Sequence, residues 1–190
     1  GATTGGLGLN IVAEAYRDYY LRPDSYAHLY RAFVIVVDLA AAFLTANLIP
    51  SLGFILAGAE WHVLLVMLTL PLTLVYLAME IALSFETFGH DLSLGTNRSI
   101  STRLGWKTAM LLHNLLILGA FLLVGVFFAS GLTWQLTWPF LLCLPLGLFQ
   151  ILQIQQMAGG AKPHWKLLKW TAVGFYLLCT YLVTISLWIN

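Results

Sequence analysis

The sequence predicts an all-α fold: a polytopic transmembrane helix bundle, with five full spans plus a partial N-terminal helix in a single domain over residues 1–190. Three observations predict it. Hydrophobic residues make up 60% of the chain and charged residues 9%, where a soluble domain carries roughly 25% charged residues. Its apolar runs reach the ~20 residues that cross about 30 Å of hydrocarbon. They lack period-2 alternation and are too long for barrel strands. Finally, the charges are confined to a few links between the runs.

The first segment, residues 1–20, is expected to be the tail of a helix that turns polar at Asn10. Its first sixteen residues are apolar but too short to span. No basic leader precedes them, so the chain is expected to enter partway through a helix, with N-terminal helices missing. Residues 21–29 read as a loop containing Pro23, Asp24 and Ser25. A full span at 30–49 is expected to end at Pro50, and a short link with Gly53, Gly58 and Glu60 follows. The next span, 61–85, carries Pro71 near its middle. Residues 86–105, ETFGHDLSLGTNRSISTRLG, form a polar island. Spans at 107–130, 134–156 and 165–189 follow, separated by the turn Gly131-Leu132-Thr133 and the loop Gly159-Gly160-Ala161-Lys162-Pro163. Pro139 and Pro145 imply kinks in the fourth span, where neighbouring helices must satisfy the freed carbonyls.

Charge placement fixes a topology. Nine basic residues, Arg17, Arg22, Arg31, Arg98, Arg103, Lys107, Lys162, Lys166 and Lys169, fall in three clusters. With alternating spans all nine share one face, which the positive-inside rule makes cytoplasmic. A net charge of +1 gives no case for a nucleic-acid partner. Cys143 and Cys179 lie inside apolar runs, at neither disulfide-framework nor metal-ligand spacing, and read as small core residues.

Two polar stretches therefore emerge on the same face. In the first, Asn10, Glu14 and Asp18 are four apart, on one helical face. Hard oxygen ligands in that arrangement suit Mg²⁺, with Arg17 and Arg22 beside them for phosphate. Taken alone, the stretch also reads as an ordinary helix end with solvated charges. In the island, Asp91 is followed by Gly95, Arg98 and Arg103, again a set that suits a metal and a phosphate, or a plain loop between spans. His90 reads as a solvated loop histidine. Glu86 and Asp91 are five apart, so on a regular helix they point about 140° from each other. Glu86 joins Asp91 only if the backbone bulges or breaks near Gly89. Otherwise the face of Asp91 carries Thr87, Ser84 and Glu80.

Together the two stretches resemble the UbiA superfamily of integral-membrane prenyltransferases. One family motif, N-x-x-x-D-x-x-x-D, is matched by N-I-V-A-E-A-Y-R-D with Glu14 for one Asp. The second, D-x-x-x-D-x-x-x-G with a following R-L-G, is matched by Asp91, Gly95, Arg98 and Arg103-Leu104-Gly105. The chain has fewer spans than the family and one extra residue between its two island acids. The resemblance implies transfer of a polyprenyl group from an allylic diphosphate to an acceptor, with aromatic quinone precursors favoured. It implies Mg²⁺ held by Asn10, Glu14, Asp18, Asp91 and Glu86, and a diphosphate held by Arg17, Arg22, Arg98 and Arg103. It leaves the catalytic base unassigned. A non-catalytic prenyl-lipid-binding protein and a small transporter or scaffold are the alternative readings. The transporter reading would call for polar residues near the midplane on several helices. Asp38, Glu80, His113, Asn114, Gln150 and Gln153 are polar residues inside spans; Asp38 is expected to face a cavity or another helix, Glu80 reads either way, and interhelical hydrogen bonding is the expected role of the last four.

Overall fold

The fold is built on one long helix. In the computed structural model, which describes residues 36–37, 39–56, 63–93 and 100–189, the helix Val63–Ser93 runs for 31 residues. We label the elements α1 (Leu39–Leu48), α2 (Ile49–Leu56), α3 (Val63–Ser93), α4 (Ile100–Leu104), α5 (Trp106–Ala129), α6 (Trp134–Leu142), α7 (Leu144–Ala158) and α8 (Trp165–Ile189). All described regular structure is helical. Residues Gly1–Val36 and Val37–Asn190 cluster as separate units, and the account below concerns the second.

Four helical segments are long and apolar enough to cross a membrane: Leu65–Phe88, Trp106–Ala129, Trp134–Ala158 and Trp165–Leu187. They correspond to the last four of the five expected spans. Of the first, 30–49, the described part is Leu39–Leu48, shorter than a span. Large apolar side chains cover the outside of the bundle; Leu122 on α5 is 69% exposed. Such a surface is at home in lipid, not in water.

The sequence-based boundaries fail where backbone physics allows a helix to continue. Pro50 was expected to end the first span, yet helix continues through it to Leu56, and Gly53 lies in helix as well. The turns just before it, Leu44–Leu48, widen into a π-helix. A proline has no N–H for the carbonyl four residues back, and a widened turn changes that pairing. The island is also more helical than a loop. Helix α3 runs unbroken through Gly89 to Ser93, and Ile100–Leu104 forms a further turn of helix. At 1.5 Å per residue α3 is about 46 Å long, so its last turns project beyond a ~30 Å hydrocarbon layer. Phe88 holds this end by packing on Trp106, with ring centroids 5.4 Å apart.

The fourth span is two helices with a break at Cys143. Pro145 cannot donate a backbone hydrogen bond, and the junction is instead closed by Cys143 N–H to Phe140 O (3.1 Å) and Gly147 N–H to Cys143 O (3.1 Å). Gly105 joins α4 to α5 with φ +80°, a conformation that disfavours any side chain. Its N–H donates to Ser101 O at 3.0 Å.

Packing divides the interior into two apolar clusters. One, around Leu72, Val75, Ile117, Phe140 and Phe175, fills the half towards the α5–α6 turn. The other, around Ile81, Phe85, Ala109, Ile154 and Leu168, fills the half towards the charged end. Both cysteines are free and buried, as expected of core residues. Helices α5, α7 and α8 approach closely at Gly147, where a Cβ would meet Phe121 Cε2 at 3.0 Å and Ile117 Cγ2 and Phe175 Cζ at 3.2 Å. Close backbone approach at a small residue drives helix association in lipid, where no hydrophobic term separates helix from solvent. Gly147→Leu is expected to cost about 1–3 kcal/mol by overpacking and to lower the melting temperature in detergent. Gly174→Leu, at a position with nothing within 4 Å of its Cβ, serves as the control and should leave the melt unchanged.

Candidate functional site

The charged end of the bundle collects the end of α3, the starts of α5 and α8, and the short helix α4. Four aromatic rings tie these ends together. Trp106 packs edge-on against Phe85 (4.8 Å) and Trp165 (5.4 Å), and Phe88 flanks it. Ser101 on α4 is fully buried and its hydroxyl donates to Ser84 O on α3 at 3.2 Å. Arg103 lies on α4 and Lys107 in the first turn of α5. Lys166 and Lys169 lie near the start of α8. The basic residues of the described spans thus gather at one end, as alternating spans require.

The expected site residues separate into two groups. Asn10, Glu14, Arg17, Asp18, Arg22 and Arg98 lie outside the described residues, as does Asp38. Glu86, Asp91 and Arg103 lie within them. Glu86 and Asp91 both belong to the continuous helix α3, with no bulge or break at Gly89, so they occupy faces about 140° apart. The Glu86 carboxylate instead accepts a hydrogen bond from Lys169 Nζ at 3.3 Å. The helix therefore withholds the condition on which Glu86 would join Asp91. The residue one turn before Asp91 on its face is Thr87, not an acid. Among the described residues no three His, Cys, Asp or Glu side chains converge to hold a metal.

A second set of polar groups is less visible in sequence. On α3, Thr69, Thr73, Tyr76, Glu80, Ser84, Thr87 and Asp91 follow one another at steps of four, three, four, four, three and four, and so lie within a stripe about 80° wide. Exposure rises along it, from buried Thr69 and Thr73 through half-buried Tyr76, Glu80 and Ser84 to exposed Thr87. Asn47, in the π-helical turn, closes the inner end: its amide donates to the Thr73 hydroxyl, and its carbonyl oxygen accepts from the Thr69 hydroxyl. Thr73 in turn donates to Thr69 O at 3.0 Å. Tyr76 lies one turn before Glu80 on this stripe, and its ring meets Tyr176 edge-on at 5.3 Å. The sequence signal for this stripe was its heptad-like spacing, which a scan for acid–basic motifs at span ends passes over.

The third set lies between the two apolar clusters. His113 and Gln150 are fully buried. The Gln150 amide donates to Thr171 O on α8 at 2.9 Å, and the Thr171 hydroxyl reaches Gln153 Oε1 at 3.1 Å. Interhelical bonding is thus what Gln150 and Gln153 do. His113 pairs within its own helix, Nδ1 to Asn114 Oδ1 at 3.2 Å, and its Nε2 has no hydrogen-bond partner.

No protein-family model, curated protein or solved structure matches this chain.

The Glu86–Lys169 pair is half exposed on both sides, with side chains 42% and 51% accessible. It is expected to contribute less than about 1 kcal/mol. Glu86→Gln and Lys169→Met should each shift the melting temperature only slightly, and the shift should vanish in high salt. The Asn47 cluster is different in kind: Asn47→Leu takes an acceptor from the buried Thr69 hydroxyl and a donor from the buried Thr73 hydroxyl, and is expected to cost about 0.6–2 kcal/mol, read as a salt-independent fall in the melt.

Proposed function

We propose that the chain is a UbiA-type prenyltransferase that moves a polyprenyl group from its allylic diphosphate to a small acceptor, with an aromatic quinone precursor favoured. The observation that carries the reading is the placement of Asp91. It stands in the last turn of a helix that overshoots the membrane-crossing window. At the same end lie Arg103 on α4 and the start of α5, with Lys107 exposed, and below it lies an apolar, aromatic-walled bundle.

In this reading Asp91 on α3 would be a ligand to Mg²⁺, and Asn10, Glu14 and Asp18 are the first-motif residues whose oxygens would suit the same ion. Glu86, turned to Lys169, is dropped to a supporting role. Bound Mg²⁺ neutralises charge on the departing pyrophosphate. Arg17, Arg22, Arg98 and Arg103 hydrogen-bond the diphosphate oxygens and favour charge growing on the leaving group. The allylic C1–O bond breaks with its electron pair leaving on pyrophosphate. The acceptor's nucleophilic atom then bonds to C1 and releases its proton. The apolar walls exclude water from the allylic cation. The motif end faces the cytoplasm, where soluble diphosphate and Mg²⁺ are present.

The transporter reading draws on polar groups inside several spans. Asn47, Thr69, Thr73, Gln150 and Thr171 are already engaged in helix-to-helix hydrogen bonds, which supports packing over passage. The prenyl-lipid-binding reading differs from the enzyme only in turnover.

The test is Mg²⁺-dependent pyrophosphate release from geranyl diphosphate and longer homologues by the full chain. Asp91→Asn and Asp18→Asn are expected to lower the rate at least a hundredfold, and Glu86→Gln by less than threefold. Diphosphate binding without release in the wild type would favour the lipid-binding alternative. Neither binding nor release would sink the reading.

A further inference from the structure

The α3 stripe supplies something the metal–diphosphate end lacks. We infer that Tyr76 and Glu80 form the acceptor-binding part of the site, and that the acceptor is a neutral phenol-type ring bearing a hydroxyl rather than a carboxylate-bearing one. This rests on the prenyl-transfer reading and names its second substrate class.

Depth is the first argument. Glu80 falls inside the membrane-crossing window of α3, eight residues before Phe88 at the window's end, about 12 Å along the helix. An ionisable side chain at that depth is costly and marks a functional position by default. Among the described residues the polar side chain one turn before it on its face is Tyr76, and no cation pairs with it. A carboxylate has room for several hydrogen bonds, so one phenol leaves capacity for a second donor.

Position is the second. Glu80 and Asp91 share a face, eleven residues and about 16 Å apart along the axis. A ring held at Glu80 would therefore lie below a diphosphate held at Asp91, on the same side of the same helix. Between them lie Ser84 and Thr87, whose hydroxyls turn back to the helix carbonyls of Ile81 (2.7 Å) and Ser84 (3.3 Å). Exposure increases steadily along this route towards Thr87.

Chemistry is the third. The Tyr76 ring, edge-on to Tyr176, offers an aromatic surface for another ring. The Glu80 carboxylate accepts a hydrogen bond from an acceptor O–H, and it repels an acceptor that carries its own carboxylate. A site built around a buried acceptor group also rejects a ring that lacks the donor.

The experiment uses the full chain in lipid nanodiscs, with geranyl diphosphate as donor. The two acceptors are 1,4-dihydroxynaphthalene, which is neutral, and 4-hydroxybenzoate, which carries a carboxylate. Wild type is expected to prefer the naphthalene. Glu80→Gln is expected to lower kcat/KM for it ten- to a hundredfold, mostly through KM. The same variant should leave 4-hydroxybenzoate unchanged or improved, so the preference ratio falls. Tyr76→Phe should lower kcat/KM for the naphthalene several-fold. Mg²⁺-dependent geranyl diphosphate binding should be untouched in both variants, which separates a local effect from misfolding. A wild-type preference for 4-hydroxybenzoate, or a ratio unmoved by Glu80→Gln, would overturn the inference. Should wild type fail to bind geranyl diphosphate, the transfer reading fails. The acceptor site is then judged by direct titration of 1,4-dihydroxynaphthalene, where equal affinity in wild type and Glu80→Gln overturns it too.

Discussion

Hydrocarbon offers no hydrogen bonds, and every irregularity in this bundle is arranged around that fact. Where Pro145 removes a donor, the junction at Cys143 replaces it with tighter backbone bonds from Cys143 and Gly147. Where Pro50 enters the chain, the preceding turns widen, and the same widened stretch delivers Asn47 to Thr69 and Thr73. Hydroxyls elsewhere fold back onto their own helices, as Thr180 does to Tyr176 O (2.9 Å) and Thr184 to Thr180 O (2.8 Å). Polar residues are therefore plentiful inside the bundle without being free. The exceptions, Glu80 with spare acceptor capacity and His113 with an unpaired Nε2, stand out against that background.

Helix α3 organises both the packing and the chemistry. Its apolar face supplies Leu72 and Val75 to one cluster and Ile81 and Phe85 to the other. Its polar stripe starts at the Asn47 cluster and ends at Asp91. A single helix thus fixes the spacing along its axis between Thr69 and Asp91, because an unbroken helix allows no adjustment between them. That rigidity is what a site joining a membrane-embedded ring to a surface-held diphosphate needs.

The last four spans were legible in the sequence because length and composition suffice for them: 165–189 matches α8, and 107–130 matches α5 to within a residue. Boundaries at Pro50 and at the island were not, since proline and glycine are poor stop signals when lipid penalises leaving the helix. The island's charges suggested a loop, but Glu86 is held by Lys169 and Phe88 by Trp106, partners that lie 83 and 18 positions away and leave no local trace. Helical arithmetic on Glu86 and Asp91 anticipated that they could not both face one metal from a regular helix. Asn47 was overlooked because a lone amide near the end of an apolar run has no signature; its meaning comes only from the two threonines a helix away.

The aromatic layer of Phe85, Phe88, Trp106 and Trp165 has an electrical meaning as well as a packing one. Directly beneath the charged end it replaces water with polarisable but non-polar matter, and so sets a sharp dielectric step. A charge at the tip of α3 is screened within about 10 Å by salt on its outer side. Towards the bundle that screening is absent. Fields from the charges at this end therefore reach inward further than outward, and the attraction within an ion pair here grows as it sinks towards the rings while its desolvation cost grows with it.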